Sequence, residues 1–393
     1  MALPSVPLWL YRTDVKKKSA CIRVLSLRNP KSSTRPGPIT ELPIKPTQVI
    51  FPILIILLAL LINAVIMLAC GYQPVKAFAA MYEGALGGTR QITETFVKTC
   101  PLLLTGLAVA FAFRCGIWNI GAEGQYLIGT LMATWVGTSA LNLPPLVFIP
   151  VILVAGAFAG GLWASIAGLL KAYRGVQEVI STIMLNFIAL ELVRYAVDGG
   201  PLQEATKSYQ QSERIVANAI LPRIIPKTWI PFNRFHLGIL IALLVAVALY
   251  WVLFRTVLGY EVRAVGQNRR AAETAGISVT RNTVIAMLIS GGLAGLAGTI
   301  ELIGLSPHRL YQVAPGYGYT AIAVALLGRL HPIGVIFSAL LFGVLQAGSE
   351  EMQMVAQVPS KLTWVTQATV LLLVLGFSMY ELQRNKNRKP HNA

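Results

Sequence analysis

A chain of 393 residues that is 55% hydrophobic and only 12% charged departs far from soluble domains, which average about 25% charged residues; with a mean hydropathy of +0.63 it is no soluble globule. The net charge of +17 does not argue for nucleic acid, because no basic-aromatic recognition module accompanies it; basic residues collect in loops and tails, where they orient a membrane protein and meet anionic lipid. The four cysteines, Cys21, Cys70, Cys100 and Cys115, form no C-x-x-C or Cys/His pattern, so metal and redox chemistry have no signal.

Residues 1–48 are polar, proline-rich and basic, with Lys16, Lys17, Lys18, Arg23 and Arg28 in the first thirty positions. Such a stretch is expected to be a disordered cytoplasmic leader. A membrane domain is expected over 49–380. Its first span, 49–70, is long enough to cross about 30 Å of hydrocarbon. Residues 71–95 carry Glu83, Arg90 and Glu94 and read as a segment outside. Spans follow at 96–114, 118–140, 145–170 and 176–197, with Lys171 and Arg174 marking a cytoplasmic turn. The loop 198–236 mixes both charges with several prolines and is expected on the extracytoplasmic side. A sixth span runs over 237–254 and a seventh over 282–304.

Between these last two lies 256–281, polar and studded with Arg263, Arg269, Arg270 and Arg281. Its charge keeps it in the cytoplasm, and it is too short for a domain, which points to a docking element for a soluble partner. Residues 305–319 read as an outside loop. The apolar pieces 320–328 and 333–347 are split by Arg329-Leu330-His331-Pro332 and are each too short to span comfortably, so broken half-helices are expected. A final span over 363–380 leads to a basic tail, 381–393. The fold class is therefore an all-α polytopic membrane protein of about ten crossings, both ends cytoplasmic.

Small residues four apart, Gly156/Gly160, Gly291/Gly295 and Ala294/Gly298, let helix backbones approach closely in lipid. Polar residues inside spans demand an explanation, since a charge at the bilayer centre costs about 2.5–3.5 kcal/mol. One group is Asn119, Glu123 and Gln125, with Asn119 and Glu123 four apart and expected on one helix face. A second is Glu178, Ser181, Thr182 and Asn186, again on one face. Glu123 and Glu178 are expected near the cytoplasmic ends of their spans and Asn186 nearer mid-membrane; bracing between helices and contact with a substrate path both remain open for them. Glu191 and Glu301 are further intramembrane carboxylates. Gly316 and Gly318 form an entry to a half-helix, as a plain turn or facing a solute. No phosphate-binding loop, nucleophile elbow or zinc-protease motif occurs, so the chain is not expected to be an enzyme and energy must come from a gradient or a partner.

Three stretches, FRCGIWNIGAEGQYLIG (113–129), GVQEVISTIMLNFIAL (175–190) and GYEVRAVGQNRRAAETAGIS (259–278), together with AIAVALLG (321–328) before Pro332 and Gly334, resemble permease subunits of bacterial ABC importers. The resemblance covers about 50–380 and is strongest to permeases for nucleosides, within the group that also serves ribose and branched-chain amino acids. Trp118 departs from it, where the family more often has phenylalanine. It implies a fold like that of the vitamin B12 importer, a multi-pass subunit of the bacterial cell membrane, a second permease subunit (copy or paralogue), cytoplasmic ATP-binding subunits and an extracytoplasmic solute-binding protein. ATP and magnesium would be used by the partner, with no cofactor in this chain. It also implies that Gly266, Asn268, Ala271, Ala272, Ala275, Gly276 and Ile277 lie on a short coupling helix inserted into the ATPase, with Arg269 and Arg270 at its surface. Nucleosides or simple sugars would be the solutes. The competing reading is an ion-coupled secondary transporter using its intramembrane carboxylates.

Overall fold

Apolar runs of this length satisfy their backbone groups internally only as helices, and proline and glycine decide where each helix starts and stops. The structure is a computed structural model that describes residues 47–376 apart from 140–142, 227, 230–233, 306, 312–314, 360, 363, 367, 370, 371, 374 and 375; of 47–56 it describes the backbone alone. The expected leader 1–48 is almost wholly, and the tail 381–393 entirely, outside the described residues.

The helices are α1 (Thr47–Ala69), α2 (Pro74–Leu86), α3 (Thr89–Arg114), α4 (Ala122–Thr138), α5 (Pro145–Arg174), α6 (Glu178–Val197), α7 (Gly238–Arg255), α8 (Val257–Gln267), α9 (Arg269–Thr274), α10 (Val279–Gly304), α11 (Tyr317–Leu327) and α12 (Pro332–Ala356). Proline opens α2, α5 and α12 in the first turn, where a missing N–H costs nothing. Gly175 ends α5 in the left-handed region at φ +67°, a conformation that glycine adopts without steric cost. Among the described residues six helices are long and apolar enough to cross a membrane: α3, α5, α6, α7, α10 and α12.

The core is built on α3 and α10. Leu102, Leu103, Leu104, Leu107 and Phe111 of α3 are fully buried. The α5–α10 seam is glycine-lined: a Cβ on Gly160 would meet the backbone of Gly291 and Gly295, and one on Gly156 would meet Thr299. The spaced small residues thus bring two backbones into contact, as expected for helices that lipid does not push together.

Four arginines at helix ends gather at one end of the bundle, whereas Arg90 at the start of α3 and Arg194 in the last turn of α6 lie toward the other. Arg114 closes α3, Arg174 closes α5, Arg255 closes α7 and Arg281 stands in the first turn of α10. The opposite end carries the segment 198–236, which is knitted onto the bundle: Val216 N–H donates to Gly137 O, Leu221 N–H to Ile303 O and Ile215 N–H to His308 O. Arg309 binds Glu204 at 2.6 Å. His236 is buried there and its Nδ1 accepts from Gly238 N–H at 3.1 Å. Burial, and secondly the neighbouring His308, lowers its pKa to about 4.

Four expectations change. Residues 71–95 are not one external segment, because α2 forms within them and α3 already begins at Thr89. The span expected over 118–140 starts as a helix only at Ala122. The piece 333–347 is not too short: α12 has 25 residues. Its polar end, Gly348-Ser349-Glu350-Glu351, stays helical because Lys98 of α3 pairs with Glu350 at 2.7 Å and Gly348 packs on the backbone of Met81 in α2. Finally, 305–319 is not all external loop, since α11 begins at Tyr317 against Glu123.

Candidate functional site

Two interrupted helices meet inside the bundle. After Arg114 the chain turns through Gly116 at φ +73° and runs non-helically through 117–120 before α4 starts. Asn119 holds this break. Its Oδ1 accepts from Gly121 N–H at 2.9 Å, and its amide exchanges hydrogen bonds with the Gln125 amide at 3.0 Å each way. Its Nδ2 also donates to Ser290 Oγ of α10 at 2.8 Å, and that hydroxyl donates to Ala108 O of α3 at 2.6 Å. Ser290 is eleven residues beyond Val279, which sets this junction about 16 Å from the arginine end.

The second interruption is α11. Its 11 residues reach only about 16 Å, half a hydrocarbon thickness. It runs from Tyr317 to the arginine end, where Leu330 O accepts from Arg114 Nε at 2.9 Å. The N-terminus of α11 is left inside the bundle, and the Glu123 carboxylate sits on it, accepting from Gly316 N–H at 2.8 Å and Gly318 N–H at 2.6 Å. A carboxylate at the positive end of a helix is the favourable pairing. Gly316 takes φ +78° to make this turn, and a Cβ on Gly318 would strike the Glu123 backbone nitrogen.

α6 closes the junction. Asn186 Oδ1 accepts from Gly124 N–H at 2.8 Å, and Nδ2 donates to Ile120 O at 3.0 Å and to Tyr319 OH at 3.4 Å. One face of α6 holds Glu178, Ser181, Thr182 and Asn186, all buried. Thr182 Oγ1 and Ser181 Oγ donate back to Glu178 O at 2.7 and 3.1 Å, and Glu178 pairs with Lys171 at 2.7 Å. Above the junction, Tyr126 OH donates to Glu301 Oε2 at 2.7 Å, with the Tyr126 and Tyr317 rings 6.0 Å apart.

Two expectations on these residues are corrected. Asn119 and Glu123 share no helix face, because the helix begins only at Ala122. Glu123 is not at a cytoplasmic span end: it touches the start of α11, a half-helix length away from the arginines. Sequence reasoning missed Ser290, Tyr319 and the partners of Glu301. Nothing in a single sequence pairs residues 171 positions apart, as Asn119 and Ser290 are.

The basic segment 256–281 is helical for most of its length. Thr256 caps α8, Asn268 caps α9 and Ser278 caps α10, each side chain accepting from the N–H three residues on. The implied single coupling helix is therefore corrected to two helices and their turns. Gly266 lies on α8, packed so closely on α3 that a Cβ would strike Arg114 O. Arg269 Nη2 donates to Gly116 O at 3.4 Å. Ala271 N–H is the capped donor of α9, Ala272 is buried, Arg269 is half-buried and Arg270 is exposed. Ala275 ends α9, Gly276 turns at φ +82° and Ile277 N–H donates to Ala272 O. On the α10 side, Asn282 Nδ2 donates to Glu261 Oε2 at 2.9 Å. The segment is thus fastened to α3 and α10, the helices that carry Ala108 and Ser290 at the mid-bundle junction. Among the described residues no cluster of side chains suits a metal ion.

The family described as the permease component of the branched-chain amino acid transport system matches residues 91–376. The chain is 40% identical over 329 residues to the guanosine ABC transporter permease protein NupP of Bacillus subtilis (strain 168), an alignment covering 84% of this chain and 93% of that protein. It is 37% identical over 338 residues to the glucose ABC transporter permease protein TsgB13 of Haloferax volcanii, covering 85% and 88%. It is 35% identical over 338 residues to the nucleoside ABC transporter permease protein NupB of Lactococcus lactis subsp. cremoris (strain MG1363), covering 85% and 92%. No solved structure matches the chain.

Proposed function

This chain belongs to the branched-chain amino acid transport system permease family, and on that premise we propose that it forms part of the membrane path of an ATP-driven importer for nucleosides or simple sugars. The relatives aligned over most of their length are permeases of guanosine, glucose and nucleoside ABC transporters, which supports that solute class. The observation that carries the mechanism is the double attachment of 256–281, to the end of α3 through Gly266 and to the turn after it through Arg269, and to α10 through Glu261 and Asn282. A partner ATPase gripping α9 would pull on both helices at once. They would pass that motion to the junction of Asn119, Ser290 and Glu123.

In this reading the arginine end faces the cytoplasm, as the bias of basic residues favours. ATP and magnesium act in separate ATP-binding subunits, and a second permease chain and an extracytoplasmic solute-binding protein complete the assembly. With α1, α4, the half-helix α11 and the helical residues after 361 added to the six long spans, the subunit would have about ten membrane segments and a B12-importer-like fold. The buried Asn119, Glu123, Gln125 and Asn186, each hydrogen-bonded within the junction, act as braces in it, and Glu178, Ser181 and Thr182 steady the start of α6.

The second reading, ion-coupled transport, is favoured by the buried carboxylates Glu123 and Glu301. One experiment separates the two. Cells expressing the full assembly take up labelled guanosine or glucose after ATP depletion, or with a protonophore while ATP is maintained. ATP-driven import predicts that uptake stops with depletion and survives the protonophore; the reverse pattern would install the carboxylates as ion carriers.

A further inference from the structure

The α6 helix packs mainly against α4 and α5 and touches α11 through Asn186 and Tyr319, and its outer face carries charge. The exposed side of α7 is apolar up to its last turn, with Leu240, Leu244, Val247 and Trp251 before the exposed Arg255. The exposed side of α6 begins in the same way, with Met184 and Ile188, but then carries an ion pair. Glu191 Oε1 accepts from Arg194 Nη1 at 2.8 Å, and the side chains are 64% and 45% exposed.

Arg194 stands in the last turn of α6, and Glu191 lies one turn deeper in the helix. Glu191 stands six residues before Val197, the end of α6, hence about 9 Å below it. It is five residues, about 7.5 Å, beyond Asn186, which belongs to the mid-bundle junction. Lipid tails offer this pair nothing. A dry protein interface suits it no better. Arg194 has five N–H donors, and its only side-chain hydrogen bond among the described residues goes to Glu191; burying the others unpaired would be strongly unfavourable. Water, or a solute rich in hydroxyls, satisfies both groups.

We propose that the exposed face of α6 around Glu191 and Arg194 lines the aqueous passage, and that this pair hydrogen-bonds an uncharged, hydroxyl-rich solute. The inference rests on the importer reading. The carboxylate accepts from sugar hydroxyls and the guanidinium donates to hydroxyl, carbonyl or ring-nitrogen acceptors. Because the two charges cancel, the site attracts neither cations nor anions, which suits a neutral nucleoside or sugar.

The test uses the intact assembly with native cysteines replaced, and single cysteines introduced by Glu191→Cys, Ile188→Cys on the same face and Val247→Cys on the apolar face of α7. A membrane-impermeant sulfonated thiol reagent reports water, since only the hydrated thiolate reacts quickly. Glu191→Cys and Ile188→Cys are expected to react at least ten-fold faster than Val247→Cys, saturating guanosine or glucose should slow them several-fold, and modification should abolish uptake. Reaction as slow as at Val247→Cys at both positions would overturn the proposal, as would fast reaction that neither solute slows. If Glu191→Cys does not assemble, Ile188→Cys alone decides. Separately, Arg194→Gln should raise the KM for uptake at least ten-fold with little change in the maximal rate; an unchanged KM removes the pair from solute recognition. Fast labelling in an assembly whose unmodified form imports no nucleoside or sugar would leave the passage standing and overturn the solute assignment.

Discussion

Glu123 is the residue on which the junction turns. Its two bonds satisfy the first N–H groups of α11, which no carbonyl of that helix can reach. Glu123→Ala is expected to lower the thermal midpoint of the purified assembly by several degrees, and Glu123→Gln, which keeps an accepting oxygen, by less. A midpoint unchanged in Glu123→Ala would show that α11 does not depend on this contact. His236 at the other end makes a pH prediction. Its pKa of about 4 in the folded chain lies below the ordinary 6.5, so the unfolded chain binds the proton more readily. Its contribution is complete above about pH 6.5 and is lost as pH falls toward 4, at up to about 1.4 kcal/mol per unit. Amide exchange in 215–224, after correction for intrinsic rate, should rise between pH 7 and 5, and His236→Phe should flatten that rise.

At the scale of elements, the basic segment and the half-helices show what could be read in advance. The polarity and charge of 256–281 are plain in the sequence. The division into α8 and α9 was not legible, because it follows from the contact between Gly266 and α3. The turn between α9 and α10 uses Gly276 at φ +82°, where a Cβ costs about 1–2 kcal/mol. Gly276→Val is therefore expected to cut solute uptake several-fold while membrane insertion, read by surface labelling, is retained; normal uptake would remove this turn from the coupling path. The shortness of α11 was legible from Arg329-Leu330-His331-Pro332. The reach of α12 was not, since Glu350 looks like a stop until its partner Lys98 is seen.

At the scale of the molecule, the seam of α5 and α10 sets what the bundle tolerates. Gly295→Leu pushes a side chain into the backbone of Gly156 and Gly160, and the protein is expected not to accumulate in the membrane. Gly292→Ala meets only Ala157 O at 3.3 Å and should express normally. Equal expression of the two variants would mean that the seam is not close-packed.

Composition, apolar run lengths and the bias of arginines settled by themselves that this is an all-helical membrane chain with a basic segment before α10, because hydrocarbon leaves the backbone one solution and charge has few places to go. The residue motifs carried the family resemblance as well. Only the tertiary structure decided that Asn119 and Glu123 belong to a break in the chain, that Glu123 caps a helix nearly two hundred positions away, and that Glu191 and Arg194 are exposed. Local pattern reports what a residue needs; which atom satisfies that need depends on helices brought together by packing, and one sequence holds no periodic trace of those meetings.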